Sequence, residues 1–124
     1  MVSCIIVDDD NDFTEIFSDF LINSGLKVYS ICPDGKKAVN VYEKYKPDVV
    51  FVDLIMPKYD GVYAINNIRN KHPDAKIIVV TANNSVDKSY VLDTLNVNQL
   101  IFKPFDMHKI KETVTIALLS KNNN

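Results

Sequence analysis

Glycine is scarce in this chain, with residues only at positions 25, 35 and 61 out of 124. None of them stands in a G-x-G-x-x-G or phosphate-loop pattern, which excludes nucleotide binding by a glycine-rich cradle. Cysteine is scarcer. Cys4 and Cys32 lie in apolar segments without metal-type spacing, too few for a disulfide framework, and read as buried reduced thiols. His72 and His108 lie far apart, with no Cys or second His at ligand spacing, and read as solvated or helix-end histidines. There is no basic run and no basic helical face. With a formal charge of −2 and a pI near 5.6, direct DNA binding and an anionic membrane surface are both disfavoured. No apolar run approaches the ~20 residues that cross a bilayer. Met1-Val2-Ser3-Cys4-Ile5 has no basic stretch ahead of its apolar residues, so a cytoplasmic location and no membrane partner are expected.

With 47% hydrophobic and 24% charged residues, the chain has the balance of one domain around one core. That domain is expected over residues 1–120, followed by a polar tail over 121–124. Short apolar strands alternate five times with amphipathic helices. The expected strands are 3–8, 27–31, 48–53, 76–81 and 98–102. Phe13, Ile16, Phe17, Phe20 and Leu21 form a helical stripe that Gly25 ends. Asp34 is a candidate N-cap for a helix striped by Ala38, Val41, Tyr42 and Tyr45, which Pro47 stops. Gly61 releases a third helix bearing Val62, Ile65 and Ile68. Ser85 is a candidate N-cap for a fourth, with Val86, Tyr90, Val91 and Leu95. Ile110, Val114, Ala117 and Leu118 stripe the last helix and leave Ile116 and Leu119 off its inward face. Val- and Ile-rich strands separated by helices predict an α/β fold, a five-stranded parallel sheet with helices on both faces.

In such a sheet the carboxyl ends of all strands share one edge, where ligands bind. Four apolar runs end there in polar chemistry: Asp8-Asp9-Asp10, Asp53, Thr81 and Lys103. Taken singly, the acidic triplet could be a dipole-favoured first helical turn, Asp53 a strand-ending cap and Lys103 a solvated charge. Their joint placement argues for a site. Several carboxylates at one edge repel and invite a cation, and hard oxygens without thiol or imidazole select Mg²⁺ or Mn²⁺ over zinc. Lys103 adds a fixed cation and Thr81 a hydroxyl donor, a set suited to phosphoryl transfer onto a carboxylate. Asp53 is the best-placed acceptor. Asp60-Gly61 reads as turn chemistry.

The strand ending Val7-Asp8-Asp9, the segment Asp53-Leu54-Ile55-Met56-Pro57, then Asp60-Gly61, Thr81-Ala82 and Lys103-Pro104-Phe105 together resemble the receiver domain of two-component response regulators, over essentially the full length. The resemblance implies the flavodoxin-like strand order 2-1-3-4-5. It implies that Asp53 accepts a phosphoryl group from a phosphohistidine of a sensor histidine kinase or phosphotransfer protein. It also implies that Asp9, Asp53 and the backbone carbonyl of Ile55 bind Mg²⁺, with Asp8 acting directly or through water. Lys103 would pair with the phosphate, Thr81 would swing toward it, and the Lys103-Pro104 peptide would be cis. A downstream protein target, or a second copy in a phosphorylation-dependent homodimer, would bind the face of the fourth helix, fifth strand and last helix. The protein would be a switch that assists its own phosphorylation and dephosphorylation, with no independent substrate turnover.

Several positions depart from that pattern. Leu100 stands where many relatives carry a switch aromatic, so output would rest on the Thr81 loop and the fourth helix. Asn96-Val97-Asn98-Gln99 replaces the glycine-rich acidic turn before the fifth strand. Ile55 and Asn83 occupy the variable positions that flank the phosphoryl group, and apolar bulk at Ile55 predicts a long-lived phosphoform. Two alternatives remain from the sequence. One is a phosphohydrolase of the haloacid dehalogenase type, since Asp8-Asp9-Asp10 satisfies Asp-x-Asp, although Asp53 and its loop are then unexplained. The other is a receiver used unphosphorylated for docking.

Overall fold

The computed structural model describes residues 1–120; the tail expected at 121–124 lies outside the described residues. Five strands, β1 (Ser3–Val7), β2 (Lys27–Cys32), β3 (Val49–Val52), β4 (Ile77–Thr81) and β5 (Gln99–Phe102), alternate with helices. These are α1 (Asn11–Asn23), α2 (Gly35–Tyr45), α3 (Gly61–Lys71) and α4 (Lys109–Leu119), with a π-helical segment, Tyr90–Thr94, between β4 and β5. The sheet order is β2-β1-β3-β4-β5 and every pair is parallel. The chain therefore leaves β1 first toward one edge and then toward the other, and the reversal falls between β1 and β3, where a parallel sheet opens its ligand crevice.

Period-two alternation sends the strand side chains to two cores. Ile5, Val7, Val50, Val52, Ile77 and Val79 meet α2, α3 and the π-helical segment through Ala38, Tyr42, Ile65, Ile68 and Val91. Cys4, Ile6, Val49, Phe51, Ile78 and Val80 meet α1 and α4 through Phe17, Leu21, Ile110 and Val114. The inner strands β1, β3 and β4 are buried almost throughout, whereas the edge strands β2 and β5 are only partly covered.

The caps explain where the helices start. Asp10, Asp34 and Asp60 accept the backbone N–H of Phe13, Lys37 and Tyr63 at 3.1, 2.8 and 3.0 Å, each contributing about 1 kcal/mol. Gly25, at φ +94°, ends α1 as expected, and the Leu26 N–H returns to the Leu21 carbonyl. Two expectations are corrected. Ile16 is 63% exposed, because the face of α1 turned to the sheet runs through Thr14, Phe17, Ser18 and Leu21. Ser85 is not the fourth N-cap. Its N–H and hydroxyl are taken by the Asn83 side chain, and Asp87 accepts the Ser89 and Tyr90 N–H groups instead. This local side-chain turn competes with helix formation and delays the helix. Beyond it the chain is α-helical over 88–89 and continues directly as the π-helical segment Tyr90–Thr94, with Val91 and the adjoining Leu95 buried and Tyr90 exposed.

Candidate functional site

The backbone fixes the site residues before their side chains act. The Asp8 N–H donates to the Cys32 carbonyl at 3.0 Å, Asp53 to Val7 at 2.9 Å and Lys103 to Thr81 at 2.8 Å. Each residue thus carries its parallel ladder one step past the last strand position, at the carboxyl edge. Asp8, Asp53 and Lys103 converge there. Lys103 Nζ donates to Asp8 Oδ2 at 2.7 Å and to Asp53 Oδ2 at 3.4 Å, and all three side chains are largely buried. The Lys103-Pro104 peptide is cis.

The loop after β3 folds back to hold Asp53. The Ile55 N–H donates to Asp53 Oδ1 at 3.3 Å, and the Gly61 N–H to the Leu54 carbonyl at 3.0 Å. A Cβ on Gly61 would stand 2.7 Å from Leu54 Cα and 2.8 Å from the Asp53 carbonyl carbon. Asp60-Gly61 therefore does more than turn the chain: Asp60 caps α3, and Gly61 lets that helix start against the backbone of Asp53. The signal in the sequence was a glycine directly after an N-cap residue, but its reason is a contact eight residues back.

The acidic triplet divides its labour. Asp10 caps α1, Asp9 is exposed, and Asp8 is buried, accepting the Asp10 N–H at 2.9 Å as well as the lysine. Burial pushes the Asp8 carboxyl above the usual range, and the hydrogen bond and charge of Lys103 offset this only in part. At Lys103 burial opposes the charge, but Asp8 and then Asp53 outweigh it and hold the ammonium above its ordinary value. Thr81 is buried at the end of β4, and its hydroxyl accepts the Asn83 N–H at 3.2 Å. Ile55 is 63% exposed.

Among the described residues, no three acidic, histidine or cysteine side chains stand close enough to hold a metal as they are. The donor chemistry nevertheless fits one. A single ammonium bridges two carboxylates, so the edge stays net negative before Asp9 is counted. The oxygens offered by Asp8, Asp9, Asp53 and the Ile55 carbonyl are hard, which suits Mg²⁺ and not zinc. Sequence reasoning placed Phe13 in the stripe of α1 and missed its second contact, the Lys103 ammonium 4.0 Å from the ring centroid. Leu100 is half-buried and packs toward the α2 and α3 side, while Ile116 and Leu119 are exposed, as their positions off the stripe predict.

The response regulator receiver domain family matches residues 4–115. The chain is 30% identical over 116 residues to the chemotaxis protein CheY of Bacillus subtilis, covering 92% of this chain and 95% of that protein. Among solved structures it is similar to response regulator protein TrrA from Thermotoga maritima in complex with Mg²⁺-BeF, with a TM-score of 0.81 and 27% identity over 94% of this chain and 99% of that one. It is also similar to a chain of the CheX-CheY-BeF3-Mg²⁺ complex from Borrelia burgdorferi, with a TM-score of 0.87 and 25% identity, covering 96% and 90%. No helix among the described residues is long and apolar enough to cross a membrane. With this sheet order and a match of that extent the haloacid dehalogenase alternative falls away, and the chain belongs to the response regulator receiver domain family, the phosphorylation-dependent switches of two-component signalling.

Proposed function

We propose that Asp53 is the phosphoacceptor and that its donor is a phosphohistidine on a sensor histidine kinase or phosphotransfer protein. An Asp53 oxygen attacks phosphorus and the P–N bond breaks. Its electron pair stays on the imidazole nitrogen, and the product is an acyl phosphate. The observation that carries this reading is the Lys103 ammonium within reach of both Asp8 and Asp53, at 2.7 and 3.4 Å. It sets a fixed cation beside the acceptor, where the phosphoryl oxygens will gather charge. Thr81 exchanges its bond from the Asn83 N–H for one to a phosphoryl oxygen. Asp8, Asp9, Asp53 and the Ile55 backbone carbonyl would hold Mg²⁺, or Mn²⁺, which when bound neutralises charge on the transferred group.

The receiver domain spans residues 1–120, works in the cytoplasm and turns over no independent substrate. Its output face is formed by the π-helical segment, β5 and α4, where Tyr90, Ile116 and Leu119 are exposed. That face binds a downstream protein target or, after phosphorylation, a second copy, and does not contact DNA directly. Variants separate this reading from a hydrolase. With a small phosphodonor and Mg²⁺, Asp53→Asn is expected to abolish incorporation of the phosphoryl group. Turnover of the donor that survives Asp53→Asn but is lost in Asp8→Asn would overturn the reading.

A further inference from the structure

We infer that Phe13 is a positioning residue for Lys103: the face of its ring seats the ammonium and keeps it aimed at the phosphoacceptor. The inference rests on the roles assigned above to Asp53 and Lys103. The ammonium has three protons to place. One goes to Asp8 at 2.7 Å and one toward Asp53 at 3.4 Å. On its remaining side lies the Phe13 ring, with the centroid 4.0 Å from Nζ. A π face attracts a cation but accepts no competing conventional hydrogen bond, so the directional bonds of the ammonium stay with the two carboxylates. The Asp53 contact is longer than the ~2.7–2.9 Å of a tight charge-assisted bond. That slack leaves the lysine room to turn onto a phosphoryl oxygen without leaving the ring.

The ring is held from behind. Phe13 stacks on Phe17 at 5.2 Å and 27°, and meets Phe105 edge-on at 6.2 Å and 77°. Phe17 is fully buried and abuts Phe51 of β3. The Phe13 N–H is fixed by the Asp10 cap, so the ring sits in the first turn of α1 at a set height above the sheet edge. On its open side the ring forms one wall of a cleft of about 390 Å³ that Lys103 also lines. Asp10 thus supports the site through Phe13 without approaching the reacting atoms.

The test replaces Phe13 in the full chain by mono-, di- and trifluorinated phenylalanine, which weakens the π face stepwise at nearly constant shape. The readout is the rate constant for phosphorylation of Asp53 by a small phosphodonor at fixed Mg²⁺. The rate is expected to fall with each fluorine, to about tenfold below wild type, the order expected for loss of a partly desolvated cation–π contact. The Lys103→Met background provides a second readout, because there the fluorine series should have no further effect. Equal rates across the series, with wild type phosphorylated at Asp53, would overturn the inference and leave the phosphoacceptor assignment standing. A fluorine effect that persists undiminished in Lys103→Met would overturn it too, since a packing role alone would act that way. Absence of any phosphoryl group on Asp53 in the wild-type protein would remove the assignment and the inference together.

Discussion

Gly61→Ala should damage stability and phosphorylation together, because Gly61 is where α3 leans on the backbone of Asp53. The added Cβ would stand 2.7 Å from Leu54 Cα and 2.8 Å from the Asp53 carbonyl carbon, and closer still to the Asp53 carbonyl oxygen. Favourable carbon–carbon contact begins near ~3.5 Å, so against Leu54 Cα at 2.7 Å the loop under Asp53 must yield by at least about 0.8 Å. Its neighbours are backbone, and Leu54 is buried, so no flexible side chain can absorb the overlap. Overpacking of this kind costs roughly 1–3 kcal/mol, and the smaller unfolded-state entropy of alanine offsets about 0.4–1 kcal/mol of it. The net loss of about 1–2 kcal/mol should lower Tm by roughly 4–10 °C for a domain of this size. A reacting group displaced by nearly an ångström loses up to about a hundredfold in rate. Thermal melts and the time course of phosphoryl incorporation, read by intact mass, check both outcomes. A variant with wild-type Tm and wild-type rate would refute the close-approach reasoning.

Other perturbations test other parts of the molecule. Ile55 beside the acceptor should shield the acyl phosphate from water, so Ile55→Asn is expected to shorten the phosphoform lifetime; loss of the wild-type phosphoryl group within seconds would sink that idea. Asp87→Ala should cost about 0.5–1 kcal/mol by urea unfolding, since Asp87 accepts the Ser89 and Tyr90 N–H groups, while Ser85→Ala should change little; the reverse ranking would restore Ser85 as the cap. Cys4 is fully buried, and burial pushes its thiol up to about 12, while Cys32 is also raised. A thiol reagent at mildly alkaline pH should therefore modify neither cysteine faster than the protein unfolds, and rapid native-state labelling would contradict the placement. The Glu43 carboxyl is held below its usual range first by its hydrogen bond with His72, at 2.8 Å. A carboxyl lowered on folding stabilises above its unfolded pKa, and that contribution is lost as pH falls through the folded value. The stability gap between wild type and Glu43→Gln should thus close on acidification from about pH 6 to about pH 3, and a gap that widens over that range would refute the pairing.

The sheet was legible because burial on both faces leaves Val and Ile little alternative: Val49-Val50-Phe51-Val52 and Ile77-Ile78-Val79-Val80 announce inner strands, and the polar residue after each marks the carboxyl edge. Asp8, Asp53 and Lys103 were legible for the same reason, since a residue's place along a parallel strand fixes which edge it reaches. Partner identity was harder. Nothing local in Phe13 announces that its ring will meet a lysine 90 positions on, and nothing local in Gly61 announces the carbonyl of Asp53. Arg69 is another such case. Its guanidinium donates to the carbonyls of Asn96, Pro73 and Ala75 and to the Asn98 side chain, so it ties α3 to the connections that lead into β4 and into β5. Ser85 does not start the fourth helix because Asn83, two residues earlier, takes the serine into its own turn. These features depend on what the completed fold brings close, which periodicity along the chain does not encode.

The most direct measurement is the position of a covalent phosphoryl group. The full chain, incubated with a small phosphodonor and Mg²⁺ and digested under conditions that preserve acyl phosphates, should gain the mass of one phosphoryl group on the peptide carrying Asp53. That gain should vanish in Asp53→Asn and fall sharply in Lys103→Met. A phosphoryl group on Asp8 or Asp9, or none at all with Mg²⁺ demonstrably bound, would contradict the account.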